Sequence, residues 1–108
     1  MTFDEYQKLA SRTSGNHENV VLISALGLAG EAGEVCDYLK KVYGHGHELD
    51  ITKLKKELGD CFWYLADLCT RFHLKMNEVA ELNIEKLQKR YPEGFQECRS
   101  RNREEGDV

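Results

Sequence analysis

The chain has one proline, Pro92, and none before it. That limits its folds more than any other feature. Proline removes a backbone donor and clashes with the preceding turn, so everything ahead of Pro92 is free to run in long helices. The apolar spacing uses that freedom. Val20, Val21, Ile23, Leu26, Leu28, Ala32, Val35, Leu39 and Val42 mark a helix from Glu18 to about Tyr43, closed by Gly44-His45-Gly46-His47. Asp50 caps a further helix through about Phe72, with Leu54, Leu58, Cys61, Phe62, Leu65, Cys69 and Phe72 at three- and four-residue steps. A third long helix runs from about Met76 to Tyr91, with Val79, Leu82 and Leu87 inward, and Pro92-Glu93-Gly94 stops it.

Ahead of these, Thr2 and Glu5 make a capping box for a short helix from Phe3 to about Arg12, followed by a loop at Thr13-Ser14-Gly15-Asn16. No segment alternates as a strand does. The expected fold is all-α: a helical bundle of one short and three long helices. The apolar faces are wide enough that a second subunit is expected to complete it. Residues 1–98 form one domain, and the charged tail 99–108 is expected to be disordered.

Composition closes off several functions. A formal net charge of −4 over 108 residues makes a general nucleic-acid surface a poor reading. No apolar run reaches the roughly 18 residues of a membrane span, and MTFDEYQKLA lacks the basic-then-apolar pattern of a signal peptide. A cytoplasmic protein is expected. Cys36, Cys61, Cys69 and Cys98 form no C-x-x-C pair, which argues for structural thiols rather than zinc ligands.

Gly27, Gly30 and Gly33 interrupt the second helix at one spacing. Each costs about 1 kcal/mol against alanine in a helix interior, so either a neighbouring helix or a ligand lies close on that face.

Acidic residues three apart recur at Glu31/Glu34, Glu34/Asp37, Glu57/Asp60, Glu78/Glu81 and Glu104/Asp107. Such spacing usually marks a solvated helix face. Two pairs stand apart by their surroundings: Glu31 and Glu34 lie in ALGLAGEAGEV, and Glu57 and Asp60 precede CFWYLA. Buried carboxylates without a partner are costly, and residues i and i+3 offer their oxygens on one face. The oxygen-only set suits Mg²⁺, with Mn²⁺ as substitute. Spacing and context leave both readings open, a divalent-cation site or partly solvated faces. A ferritin-like di-iron centre would need Glu-x-x-His pairs, and none of His17, His45, His47 and His73 follows an acid by three residues.

GLAGEAGEV, then KKELGDCFWYLA, then NIEKLQKRYPEGF together resemble the MazG-like family of all-α nucleoside triphosphate pyrophosphohydrolases, from about Leu26 to Phe95. The family holds Mg²⁺ with an E-x-x-E and an E-x-x-D pair. The resemblance thus assigns Glu31, Glu34, Glu57 and Asp60 to metal, and hydrolysis of (deoxy)nucleoside triphosphates to monophosphate and pyrophosphate, with nucleotide-pool cleaning as the expected role. Gly30, where larger relatives carry a second glutamate, points to the short single-domain branch. The resemblance also implies Asn83, Lys86 and Arg90 as triphosphate contacts and Tyr64 as the contact to sugar or base. Trp63 reads as packing, and His17 and Asn19 as weaker candidates for a base. Glu34 is preferred over Glu31 as general base for the attacking water. A homodimer or homotetramer is expected. Two rivals remain: a non-catalytic helical interaction module of the same fold, and hydrolysis of a phosphoribosyl-linked nucleotide.

Overall fold

The computed structural model describes residues 1–108, and every one of its main elements is a helix. Helix α1 covers Phe3–Ala10 and continues as a 3-10 turn over Ser11–Thr13; α2 covers Val20–His45, α3 Ile51–Arg71, α4 Met76–Arg90 and α5 Glu97–Arg101. The sequence-predicted ends are right to within a few residues because the stop signals are local. Thr2 Oγ1 accepts from the Glu5 amide at 3.0 Å while Glu5 returns a carboxylate to the Thr2 amide at 3.3 Å, completing the capping box. Asp50 Oδ1 accepts from the Thr52 and Lys53 amides at 3.0 and 3.2 Å. Gly46 ends α2 at φ +71°, a left-handed value that glycine takes without a Cβ penalty.

Helices α2 and α3 form the most extensive helix–helix contact and run antiparallel. Near their connecting turn the Tyr38 hydroxyl accepts from the Asp50 amide at 2.7 Å, and the Lys53 ammonium stands 4.8 Å from the Tyr38 ring centroid. At the other end, Ser24 Oγ donates to Asp67. Between these, the Tyr64 ring lies so close to the Gly27 backbone that a Cβ there would overlap it. The pairs Ser24–Asp67, Gly27–Tyr64 and Tyr38–Lys53 all obey one antiparallel register, since each step up α2 is matched by an equal step down α3.

Helix α1 crosses the far half of α3, with Tyr6 edge-on to Phe62 at 5.2 Å between ring centroids. Its polar face ties down the α3–α4 turn. Gln7 donates to the Leu74 carbonyl at 2.8 Å and accepts from the Met76 amide at 2.8 Å, and Asp4 accepts from the Asn77 amide at 2.9 Å. These bonds satisfy amides at the start of α4 that have no partner inside the helix. Ala66, Cys69 and Met76 form the small core under Tyr6, Ala10 and Leu65.

That core is too small to account for the apolar content. Six of 108 residues are buried, and the radius of gyration is 16.9 Å, against about 13 Å for a closed domain of this length. Leu22, Leu26 and Leu82 are 59%, 64% and 68% exposed, so one chain leaves broad apolar faces on α2 and α4 open. No helix is long and apolar enough to cross a membrane.

Residues 97–101 form α5, and the segment beyond returns to α4 through Gly106, at φ +85°, to place Asp107 on Arg90. A ten-residue stretch with little apolar character gives no periodicity signal, and a single long-range ion pair leaves none either.

Candidate functional site

The α2–α3 register decides which acids meet. Carboxylate oxygens of Glu31, Glu57 and Asp60 all lie within 4.8 Å of one another, with Glu31 and Glu57 half-buried and Asp60 exposed. Glu31 and Asp60 stand in the same register as Gly27 and Tyr64, one turn along each helix, so the glycine slot sets the spacing at which the acids face each other. No lysine or arginine forms an ion pair with any of the three. Burial first, then the charges of Asp60, Glu57 and Glu34, push the Glu31 carboxyl above the usual range.

This donor set fits a divalent cation. Ligand oxygens about 2.1 Å from an octahedral ion lie roughly 3 to 4 Å apart, and small rotations bring these three into that range. The cluster is a concentration of like charge with no lysine or arginine within ion-pair distance, the situation a bound cation resolves.

Glu34 stands outside the three-oxygen group and is exposed. It belongs to the same electrostatic neighbourhood, since its charge contributes to raising Glu31. The neighbouring Glu34/Asp37 spacing resolves differently. Asp37 is held by Lys40 and Lys41, each at 2.9 Å. Hydrogen bonds from Lys41 and Lys40 lower its pKa to about 2. The lysines near the end of α2 are thus spent on Asp37 and leave the acid cluster uncompensated.

Tyr64 lies one turn beyond Asp60 on α3, half-buried, its ring between the Gly27 backbone and the edge of Trp63 at 5.0 Å between centroids. Trp63 donates its indole N–H to Thr13 at 2.9 Å, which fits packing better than ligand binding. Asn83, Lys86 and Arg90 share a face of α4, with Asn83 and Lys86 exposed. Within one chain α4 rests on α1, and none of the three bonds to the acid cluster. Arg90 donates through Nε and Nη2 to the two oxygens of Asp107, both at 2.7 Å. The contact raises the Arg90 pKa and lowers that of Asp107. His17 and Asn19 are exposed ahead of α2, at its entry.

Sequence reasoning missed a buried polar knot. Asp67, 5% exposed, accepts from Ser14 Oγ at 2.6 Å and from Ser24 Oγ, and sits 3.6 Å from Arg71. Arg71 in turn donates to Ser14 and to the Gly15 carbonyl. The knot ties the loop before α2 to α3, two turns from Asp60. Its one sequence signal was the i,i+4 spacing of Asp67 and Arg71, which is ordinary on a helix surface.

Comparison with known proteins follows the same residues. The model of the MazG nucleotide pyrophosphohydrolase domain matches residues 22–95, which include all four acids and the α4 face. The gene 37 protein of Mycobacterium phage L5 is 33% identical over 105 residues, covering 87% of this chain and 92% of that protein. No solved structure matches the chain. With the matched segment spanning both acid-bearing helices, the chain belongs to the MazG nucleotide pyrophosphohydrolase family.

Proposed function

We propose that the protein hydrolyses (deoxy)nucleoside triphosphates to the monophosphate and pyrophosphate with Mg²⁺, as a nucleotide-pool enzyme. The observation that carries this is the meeting of Glu31, Glu57 and Asp60 oxygens within 4.8 Å, with no basic partner, inside a matched pyrophosphohydrolase domain. These three would hold the ion, with Mn²⁺ as substitute. When bound, the ion supplies neutralisation of the triphosphate and polarisation of its phosphoryl oxygens. Glu34, exposed and one turn from Glu31, is free to orient and deprotonate the attacking water. Tyr64, half-buried one turn along α3 from Asp60, contacts sugar or base, and Asn83, Lys86 and Arg90 hold phosphates.

A second copy of the chain completes the assembly, as a homodimer or homotetramer. The exposed Leu22, Leu26 and Leu82 support this, as does the gap between 16.9 Å and the radius of a closed domain. Within one chain none of Asn83, Lys86 and Arg90 bonds to the acid cluster, and that assembly is the route by which the phosphate-holding face would reach one.

Pyrophosphate release from a dNTP panel tests the reading. It is expected to require Mg²⁺ or Mn²⁺ and to fall by about 10²-fold or more in folded Glu34→Gln and Asp60→Asn variants. Unchanged release in both variants sinks it. A phosphoribosyl-linked nucleotide in the same panel tests the alternative substrate class.

A further inference from the structure

The pairing of Arg90 with Asp107 bears on how the α4 face is used. Arg90 Nε and Nη2 each donate to a separate Asp107 oxygen at 2.7 Å, a fork geometry that a phosphate group satisfies equally well. With Asp107 in place the Arg90 side chain is only 9% exposed, so an anion reaches that guanidinium only by displacing the carboxylate.

The surroundings favour such an exchange. The tail and α4 line an open cavity of about 470 Å³ with Lys86, Lys89, Arg90, Arg99 and Arg103 in its wall. Apart from Glu85, its acidic lining comes from the tail itself, at Glu104, Glu105 and Asp107. Lifting residues 102–108 therefore removes Glu104, Glu105 and Asp107 against one base, Arg103, and leaves Lys86, Lys89 and Arg90 on one helix. The tail is also lightly held. Its remaining hydrogen bonds are internal, such as Asn102 Nδ2 to the Cys98 carbonyl at 2.8 Å and the Asp107 amide to the Glu104 carbonyl at 3.1 Å. The Arg90–Asp107 pair is its one polar tie to α1–α4.

We propose that residues 102–108 act as an internal competitor for phosphate, with Asp107 occupying the Arg90 guanidinium until a polyphosphate takes its place. This rests on the reading of Arg90 as a phosphate contact and adds regulation of that contact by the chain's own tail.

Calorimetric titration of the intact protein with inorganic tripolyphosphate, in EDTA so that the acid cluster takes no part, tests it. If the latch is closed about nine-tenths of the time, opening it tightens apparent binding about tenfold. Asp107→Ala is expected to show that gain. Gly106→Val is expected to show it too, because it keeps the carboxylate but strains the φ +85° turn that returns it to α4. Arg90→Gln added to Asp107→Ala is expected to abolish the gain. Equal or weaker binding by both single variants overturns the proposal, as does a gain that survives Arg90→Gln. Pyrophosphate release measured in parallel separates the two readings. Tightened tripolyphosphate binding without hydrolysis of any nucleotide leaves the latch standing and overturns the enzyme assignment. Hydrolysis without tightening overturns the latch alone.

Discussion

The Tyr64 ring packs on the bare backbone of Gly27, one turn from the level at which Glu31 and Asp60 face each other across α2 and α3. The contact sets the separation of the two acid-bearing helices. Gly30 and Gly33, at the same spacing on α2, have nothing within 4 Å of where a Cβ would stand.

Gly27→Ala is therefore expected to cost about 1–3 kcal/mol, as overpacking does, with a lower Tm and reduced Mg²⁺-dependent activity from displaced acids. Gly30→Ala is expected to be neutral or to stabilise by up to about 1 kcal/mol through helix propensity. Thermal melts of the two variants check the contrast, and equal melting points would remove the role given to the Tyr64 contact.

Mg²⁺ is expected to raise the melting temperature by ~5 °C or more when present well above its Kd, because an ion held by the folded acid cluster would have no such site on the unfolded chain. Asp60→Asn and Glu31→Gln are expected to lose most of that rise. Glu34→Gln, outside the three-oxygen group, is expected to keep more of it. Differential scanning fluorimetry across a Mg²⁺ series reads all three.

The raised pKa of Glu31 gives the pH dependence of that binding a sign. A carboxyl that holds its proton more readily in the fold gives it up when the cation binds, so apparent Mg²⁺ affinity falls as the solution becomes acidic, beginning above the ordinary glutamate range. Glutamine at position 31 is expected to flatten the profile as well as weaken binding. Calorimetry at several pH values in two buffers of different ionisation enthalpy measures the released proton.

Asp37 titrates in the opposite sense. Its folded pKa of about 2 lies below the ordinary 3.8. Its pairs with Lys40 and Lys41 thus contribute stability above about pH 4, which is lost as the pH falls towards 2. All three side chains are substantially exposed, so the effect is expected to be small and to shrink with salt. Acid melts of the protein and Asp37→Asn at two ionic strengths should converge at low pH.

Asp67→Ala is expected to destabilise by about 3 kcal/mol or more, the range for removing one partner of a buried pair. It strands Ser14, Ser24 and Arg71, whose Nε is already buried without a partner. Urea melts read the loss.

The amino-acid sequence by itself determined the helices and their ends, because caps, glycine stops and apolar spacing act within a few residues. Thr2, Asp50 and Gly46 perform their expected tasks through bonds to immediate neighbours. The sequence also placed each acid pair on one helix face, since a three-residue step fixes that. What it left open was which acids face each other. Only the register of α2 on α3 decided it, bringing Glu31, Glu57 and Asp60 together and leaving Glu34 outside, whereas the pairs of Asp37 with Lys40 and Lys41 lie three and four residues apart on one helix and were written locally. Packing likewise decided the Asp67 knot, joined to residues 43 and 53 positions away, and the pairing of Arg90 with Asp107. Helical period is written locally along the chain, whereas register and tail return depend on packing between distant segments, which no window of sequence contains.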